Sequence, residues 1–516
     1  MIVLTAKLVP SAPSHPKPLM RRALAVLVSA ALLLSGVPPL HAQSALPSMG
    51  DGAEMTLAAE RRLGDEIIAS LYRDPDYMDD APLQEYVQGI FQSLVDAASA
   101  RGELLPDLHE RFAWQVLLGR DRQVNAFALP GGYLGVYLGL IAVVSTPDEL
   151  ASVMAHELSH VTQRHIARLI AQQGRQTPLM IGALILGALA ASKSPDAAQA
   201  LMIGGQAAAV QNQLNFSRDM EREADRVGYG LMAPAGFSPQ GFVAMFDKLQ
   251  QANRINDNGS WPYLRSHPLT TQRIADMQSR HALAGSAQPP APLQHVMMVA
   301  RARVLMRPGV DAWRQWAAAP QDAGFAQLGR AARVQAWYAA ALSSLQLKNM
   351  ADARKALAGL IQDVDGDAAA QRQAHLLAAE LELQDGRPAE ALAQLQGLPD
   401  NRRPELLLRT QALLRQGDTA SIAGALQTWV ANHPEDAGAW QALAQAWQQQ
   451  GQLLRAVRAE AEAQVAHHDY AAAIDRFKAG QDLARRGGAQ DYIEASIIDT
   501  RLRAVESLLR EQAAQR

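Results

Sequence analysis

The chain has 516 residues, room for about two to four domains at roughly 100 to 200 residues each, so a single small stapled module is excluded. Its 48 Lys+Arg against 51 Asp+Glu leave a net charge of −3, which provides no basic footprint for nucleic acid. There is no cysteine, which removes disulfides, thiolate-held zinc, iron–sulfur clusters and thiol nucleophiles; any metal must be held by His, Asp or Glu.

Arg21 and Arg22 precede an apolar run over residues 23–34, followed by Ser35, Gly36, Pro38, Pro39 and Leu40-His41-Ala42. This is the layout of a cleaved export signal over residues 1–42, with Ala42 the last residue removed and Met20 a natural start. The run is about a dozen residues, against the roughly 20 that span a bilayer, so an uncleaved anchor is the alternative. No acceptor cysteine follows, which excludes a lipoprotein. An exported, cysteine-free chain suits a bacterial envelope compartment, although a cytoplasmic chain can lack cysteine too.

Residues 54–72 carry Met55, Leu57, Leu63, Ile67, Ile68 and Leu71 at helical spacing, and 83–97 repeats the pattern. Residues 113–117 are a short apolar run. In 124–137, Pro130-Gly131-Gly132 separates two apolar stretches, which predicts two strands joined by a turn, the one clear strand signal. Helical patterns dominate from Pro147 to the Pro/Gly/Ser-rich segment Gly285-Ser286-Ala287-Gln288-Pro289-Pro290-Ala291-Pro292. That segment reads as a linker over 285–294, between a first domain at 43–284 and a second at 295–516.

The second domain is rich in Ala, Leu, Gln and Arg. Alanines opening the second halves of predicted helix pairs recur at Ala353, Ala391, Ala423 and Ala456, in steps of 38, 32 and 33 residues. A tetratricopeptide array has a period of about 34. Trp440, Leu443, Ala444, Trp447 and Gly451 fill that repeat's large and small positions; an irregular helical bundle is the alternative. Asp469-Tyr470-Ala471-Ala472-Ala473-Ile474 resembles another second-helix start, off the period.

The chemistry lies in His156-Glu157-Leu158-Ser159-His160, inside an apolar-periodic segment over 149–170. Residues four apart share a helix face, so both imidazoles can bind one cation, zinc above all, while Glu157 can reach a water beside it. The alternative is a surface helix with two unrelated histidines. A catalytic zinc takes three protein ligands, so a third is needed. His165, five positions past His160, would lie about 140° round a continuous helix from it.

Ser217-Arg218-Asp219-Met220-Glu221-Arg222-Glu223-Ala224-Asp225 resembles the second zinc helix of the gluzincin peptidases of the CAAX-endopeptidase and HtpX type, which carries E-x-x-A-D. The resemblance implies Glu221 as third ligand and Asp225 as the acceptor orienting a ligating imidazole. Glu223 points elsewhere, to solvent or a structural partner. Asn125-Ala126-Phe127-Ala128-Leu129-Pro130-Gly131-Gly132 is similar to the family's segment before the zinc helix, where an edge strand pairs with an extended peptide; an ordinary core hairpin is the other reading. Ser266-His267-Pro268-Leu269 with Arg273-Ile274 resembles elements of the exported, repeat-bearing branch. There His267 could take a fourth zinc position and hold the enzyme inactive, hydrogen-bond an oxyanion, or simply cap a helix. Arg273 would face a site carboxylate or a substrate carbonyl, or solvent. Two nearly uncharged stretches, 179–191 and 197–210, would cover the cleft, touch the membrane surface or form a core hairpin.

The expected architecture is mainly α with a small β element: a gluzincin-type zinc metallopeptidase domain followed by an all-α tetratricopeptide solenoid. The expected activity is zinc-dependent endoproteolysis with one Zn²⁺ per subunit and Glu157 as the proton acceptor. By resemblance, the clients are unfolded or stalled outer-membrane proteins and the partner is the barrel-assembly machinery. A periplasmic chaperone or adaptor working through its repeats, with the zinc site plugged, is the competing class. Nucleic acid is not expected as a partner.

Overall fold

The computed structural model describes residues 55–173, 217–254, 261–281, 290–487 and 491–513. The predicted export signal and the stretches 179–191 and 197–210 lie outside them. The described residues belong to one compact unit, Ala53–Arg516.

The first helix, α1 (Leu57–Leu71), is capped by Thr56, whose side chain accepts from Ala59 N. It buries the predicted Leu63, Ile67 and Ile68 stripe. After β1 (Tyr77–Met78), Asp80 caps α2 (Ala81–Ala100), which buries Leu83, Val87, Ile90, Phe91 and Leu94 on one side. A short α3 (Pro106–Arg111) leads into β2 (Gln115–Gly119). The predicted hairpin follows as β3 (Ala126–Leu129) and β4 (Tyr133–Tyr137), joined by a 3-10 turn at Pro130–Gly132. Gly131 at φ 77° there takes the left-handed region that a residue with a Cβ enters only at a cost.

The sheet order is β1-β2-β4-β3, with β2 and β4 parallel and the other pairs antiparallel. The strand content is therefore larger than the one hairpin expected: 113–117, read only as an apolar run, overlaps β2. Its register with β4 pairs Gln115 with Tyr133 and Gly119 with Tyr137. The hairpin leaves β3 at the edge, beside the central helix.

After α4 (Leu138–Val143) comes that central helix, α5 (Pro147–Thr162). The expected continuous segment over 149–170 is broken: Arg164 takes φ 52°, and α6 (His165–Gln173) starts in a new direction. Helices α7 (Arg218–Met232), α8 (Gln240–Arg254), α9 (Tyr263–Ser266) and α10 (Thr271–His281) complete the first half. Gly228 of α7 lets two backbones meet, since a Cβ there would lie 3.0 Å from the carbonyl of Ala155 on α5.

The second half is helical throughout its described residues. After α11 (Leu293–Leu305) and α12 (Val310–Ala318) come α13 (Arg330–Gln346) with α14 (Met350–Asp363), then α15 (Ala368–Gln384) with α16 (Pro388–Leu395). The series continues with α17 (Arg403–Gln416) and α18 (Ala420–Asn432), α19 (Ala437–Gln449) and α20 (Leu453–Ala466), and α21 (Tyr470–Gly487) and α22 (Tyr492–Ala513). The periodic alanines Ala353, Ala391, Ala423 and Ala456 fall on the second helices α14, α16, α18 and α20, and all are buried. Tyr470 instead opens the first helix of the last pair, which is why its spacing left the series.

The two halves share material. One apolar core runs from Leu83, Leu94 and Leu150 through Leu138, Ile141 and Met297 to Leu342 and Leu377. Three arginines of the second half, on α11, α15 and α17, meet acidic residues around the start of α2. Arg301 binds Asp80 and Glu380, each through an NH2 contact of 2.7 and 2.8 Å. Arg372 meets Glu85 at 2.6 Å and also pairs with Glu405. Arg403 pairs with Asp79 at 2.6 Å and Asp436 at 2.7 Å. Further along, the His467 ring lies against Tyr72 with centroids 4.6 Å apart, and Arg73 approaches Asp469 at 3.4 Å.

Candidate metal centre

Helix α5 is buried on all sides from Glu149 to Thr162, so its polar side chains must find partners inside the protein. Its start is firmly built. Thr146 accepts from Glu149 N at 3.3 Å, Pro147 occupies the first turn, and Glu149 accepts from Ser145 N and Lys248 Nζ at 2.6 Å each. Ser217 caps α7 by accepting from Met220 N at 3.2 Å, which places Glu221 in the first turn, where the helix dipole favours a carboxylate. Glu221 and Asp225 are four apart and so lie along one face, towards α5.

These helices and the residue after α9 bring His156, His160, Glu221 and His267 together, with one potential ligand atom from each lying within 4.8 Å of the others and all four residues buried. The Nε2 atoms of His156 and His160 face each other at 3.0 Å. Glu221 places Oε2 3.5 Å from the first and Oε1 3.6 Å from the second. His267 Nδ1 lies 2.9 Å from Glu221 Oε1, and its ring stacks on Tyr263 at 4.6 Å. Glu157 sits beside the cluster: Oε1 is 3.3 Å from His267 Nε2, and Oε2 accepts from Ala128 N, on the edge strand β3, at 2.9 Å. Phe242, Met245, Phe246 and Leu269 form an apolar wall next to His156 and His267.

The outer layer is ionic. Asp225 Oδ1 is 3.0 Å from His156 Nδ1, while Arg273 grips Asp225 with Nε at 2.6 Å and NH2 at 2.8 Å. The same guanidinium reaches Glu221 Oε2 at 2.8 Å. Burial opposes charge on His156, but hydrogen bonds to Asp225 and Glu221 outweigh it and raise its pKa to about 9. Burial and the neighbouring His156 push His160 well below the ordinary histidine value. Glu221 resists burial because His267 and His156 hold it well below the usual carboxylate range, and Arg273 does the same for Asp225.

The donor set fits a divalent cation. Two imidazole nitrogens and a carboxylate converge in a buried place, and both imidazoles turn their Nδ1 atoms outwards to Asp225 and His165. With both imidazoles neutral, as metal ligation requires, Glu157, Glu221 and Asp225 against Arg273 leave two formal negative charges, the charge such an ion balances. Nitrogen and carboxylate ligands without thiolate are the ligand types of catalytic zinc.

Residues 83–281 match the model of peptidase family M48. The chain carries an M48 peptidase domain. This is a metallopeptidase domain whose cofactor is zinc. The chain is 36% identical over 276 residues to a putative beta-barrel assembly-enhancing protease of Vibrio cholerae, covering 52% of this chain and 53% of that protein. It thus spans about half the length of that relative. With the beta-barrel assembly-enhancing protease of Escherichia coli it shares 29% over 438 residues, 83% of this chain and 85% of the other. A mitochondrial metalloendopeptidase of Saccharomyces cerevisiae is 26% identical over 202 residues, 38% of this chain and 55% of the yeast protein.

The structure brings the expected site residues together: His156, Glu157, His160, Glu221, His267, Asp225 and Arg273. Arg273 faces the site carboxylates, 3% exposed, and not solvent. The edge segment is in place too, with Asn125 and Ala126 buried, Phe127 in β3, and Gly131 and Gly132 in the turn. His165 departs from expectation. The break at Arg164 carries it out of the line of α5 and against His160, Nδ1 to Nδ1 at 2.8 Å. Glu223 is that histidine's partner at 3.1 Å, the structural reading of the two left open.

Proposed function

We propose that His156, His160 and Glu221 hold the zinc of this metalloendopeptidase and that Glu157 is its general base. The observation carrying this is the convergence of the two Nε2 atoms and the Glu221 carboxylate, with Glu157 bonded to the neighbouring edge strand. Zinc bound there supplies the positive charge that polarises a peptide carbonyl and acidifies the attacking water. Glu157 takes the proton from that water and hands it to the leaving amine. β3 aligns an extended client as an added strand, using Asn125, Ala126 and Phe127 ahead of the Gly131-Gly132 turn. Asp225 orients His156, and Arg273 holds Asp225 and Glu221 in place. His267 sits where the attacking water would have to reach Glu157, so in this arrangement it restrains the enzyme.

The protein is proposed to work in the periplasm after removal of residues 1–42, with a peptidase domain at 43–284, a linker at 285–294 and tetratricopeptide repeats at 295–516. By likeness to relatives named beta-barrel assembly-enhancing protease, its clients are outer-membrane proteins that misfold or stall, and its partner is the barrel-assembly machinery. Among the described residues no helix is long and apolar enough to cross a membrane; peripheral contact through 179–210 is part of the proposal. The test is Glu157→Gln in the full chain: zinc is retained and cleavage of an unfolded outer-membrane protein is lost. The adaptor reading is favoured by the place of His267, and it predicts that Glu157→Gln leaves assembly unaffected.

A further inference from the structure

The second imidazole of the site has support of its own. His160 directs Nδ1 away from the cluster, to within 2.8 Å of Nδ1 of His165. His165 is fully buried at the first position of α6. Its Nε2 lies 3.1 Å from Oε2 of Glu223, and Arg168 NH1 lies 2.9 Å from that same oxygen. Two imidazole nitrogens share a hydrogen bond only when one bears the proton and the other a lone pair. The carboxylate end decides which. Ionised Glu223, held by Arg168, only accepts, so His165 carries its proton on Nε2 and offers the lone pair of Nδ1. His160 then carries its proton on Nδ1, and its Nε2 is the basic nitrogen that faces the cluster.

We propose that His165 and Glu223 are positioning residues for the metal site, a carboxylate–imidazole relay that locks His160 in the tautomer whose Nε2 can bind zinc. This rests on His160 being a zinc ligand. His156 receives the equivalent support from a single carboxylate, with Asp225 Oδ1 3.0 Å from its Nδ1. Helix α7 therefore backs both imidazoles. Asp225 reaches one directly, while Glu223, two residues earlier and well round the helix, reaches the other through His165. The break after α5 is what makes the relay: on a continuous helix His165 would point elsewhere.

The test measures zinc affinity by chelator competition, together with the absorption spectrum of the Co²⁺-substituted full chain, for wild type, His165→Asn, His165→Phe and Glu223→Gln. His165→Phe fills the space but offers no acceptor, and it is expected to lose about 10- to 100-fold in zinc affinity and to alter the Co²⁺ bands. His165→Asn puts an acceptor oxygen close to the Nδ1 position and is expected to stay within about threefold of wild type, while Glu223→Gln loses about tenfold. Failure of the wild type to take up zinc defeats the ligand set itself. Zinc uptake by the wild type, with His165→Phe or a folded Glu223→Gln unchanged in affinity and spectrum, overturns the relay alone. Equal loss in His165→Asn and His165→Phe also overturns it, since the acceptor would then be irrelevant. Circular dichroism establishes that each variant is folded, and if His165→Phe is not, the other two decide.

Discussion

Glu157 is held by Ala128 N–H on the edge strand, and the imidazole of His267 lies 3.3 Å from its other oxygen. Removing that imidazole with His267→Ala opens the approach to Glu157, and proteolysis of an unfolded substrate should rise; a fall would make His267 part of the catalytic apparatus. Arg273 is a different kind of residue. Buried against two carboxylates, it cannot be removed without taking from Asp225 and Glu221 the one guanidinium that both contact. Arg273→Ala should cost about 3–5 kcal/mol of stability, measured by denaturant unfolding of the chelator-treated protein. The HExxH residues and Glu221 were legible in the sequence because one helical repeat and one short pattern carry them. His165 was not, because neither glycine nor proline marks the break at Arg164, and the angle expected of it assumed an unbroken helix.

At the scale of elements, the site depends on how closely α5 and α7 approach. Gly228 meets the Ala155 carbonyl and the His156 amide with no room for a side chain. Gly228→Val should therefore push the helices apart, costing about 1–3 kcal/mol of stability, with a parallel drop in zinc affinity by chelator competition. Helices longer than about two turns could be read from periodicity, as α1, α2 and the alanine-marked pairs show. β1 has two residues, too few for any pattern. β2 acquires its role only from β4, a parallel partner that a local pattern does not reveal. The hairpin was visible because its turn chemistry, Pro130-Gly131-Gly132, is local.

For the whole molecule, none of the bonds described between the two halves was legible, since each joins residues more than 150 positions apart. Arg301 is the most enclosed of the three arginines, and Arg301→Ala would strand Asp80 and Glu380. A loss of about 3–5 kcal/mol is expected, seen as a lower midpoint in denaturant. His295, at the start of α11, adds a pH dependence. Its ring faces Tyr86 OH at 2.6 Å and lies near Lys248, and burial lowers its pKa to about 4. The unfolded chain takes up the proton first, so this residue's stabilisation is complete above about pH 6.5 and disappears as pH falls towards 4, at most about 3 kcal/mol. The drop in urea midpoint between pH 7.5 and 5 should be smaller in His295→Gln than in wild type.

Arg301, Arg372 and Arg403 each hold one carboxylate near the start of α2 and another within the helical half. Each is a rivet through two plates, fastening a repeat to its neighbour and to the peptidase at once. An array that touches only itself can melt piecemeal from its free end. One riveted along its length to a second body should instead come apart together with it, so calorimetry of the full chain should show the helical half and the peptidase half melting in a single transition, and dissolved salt should lower its temperature.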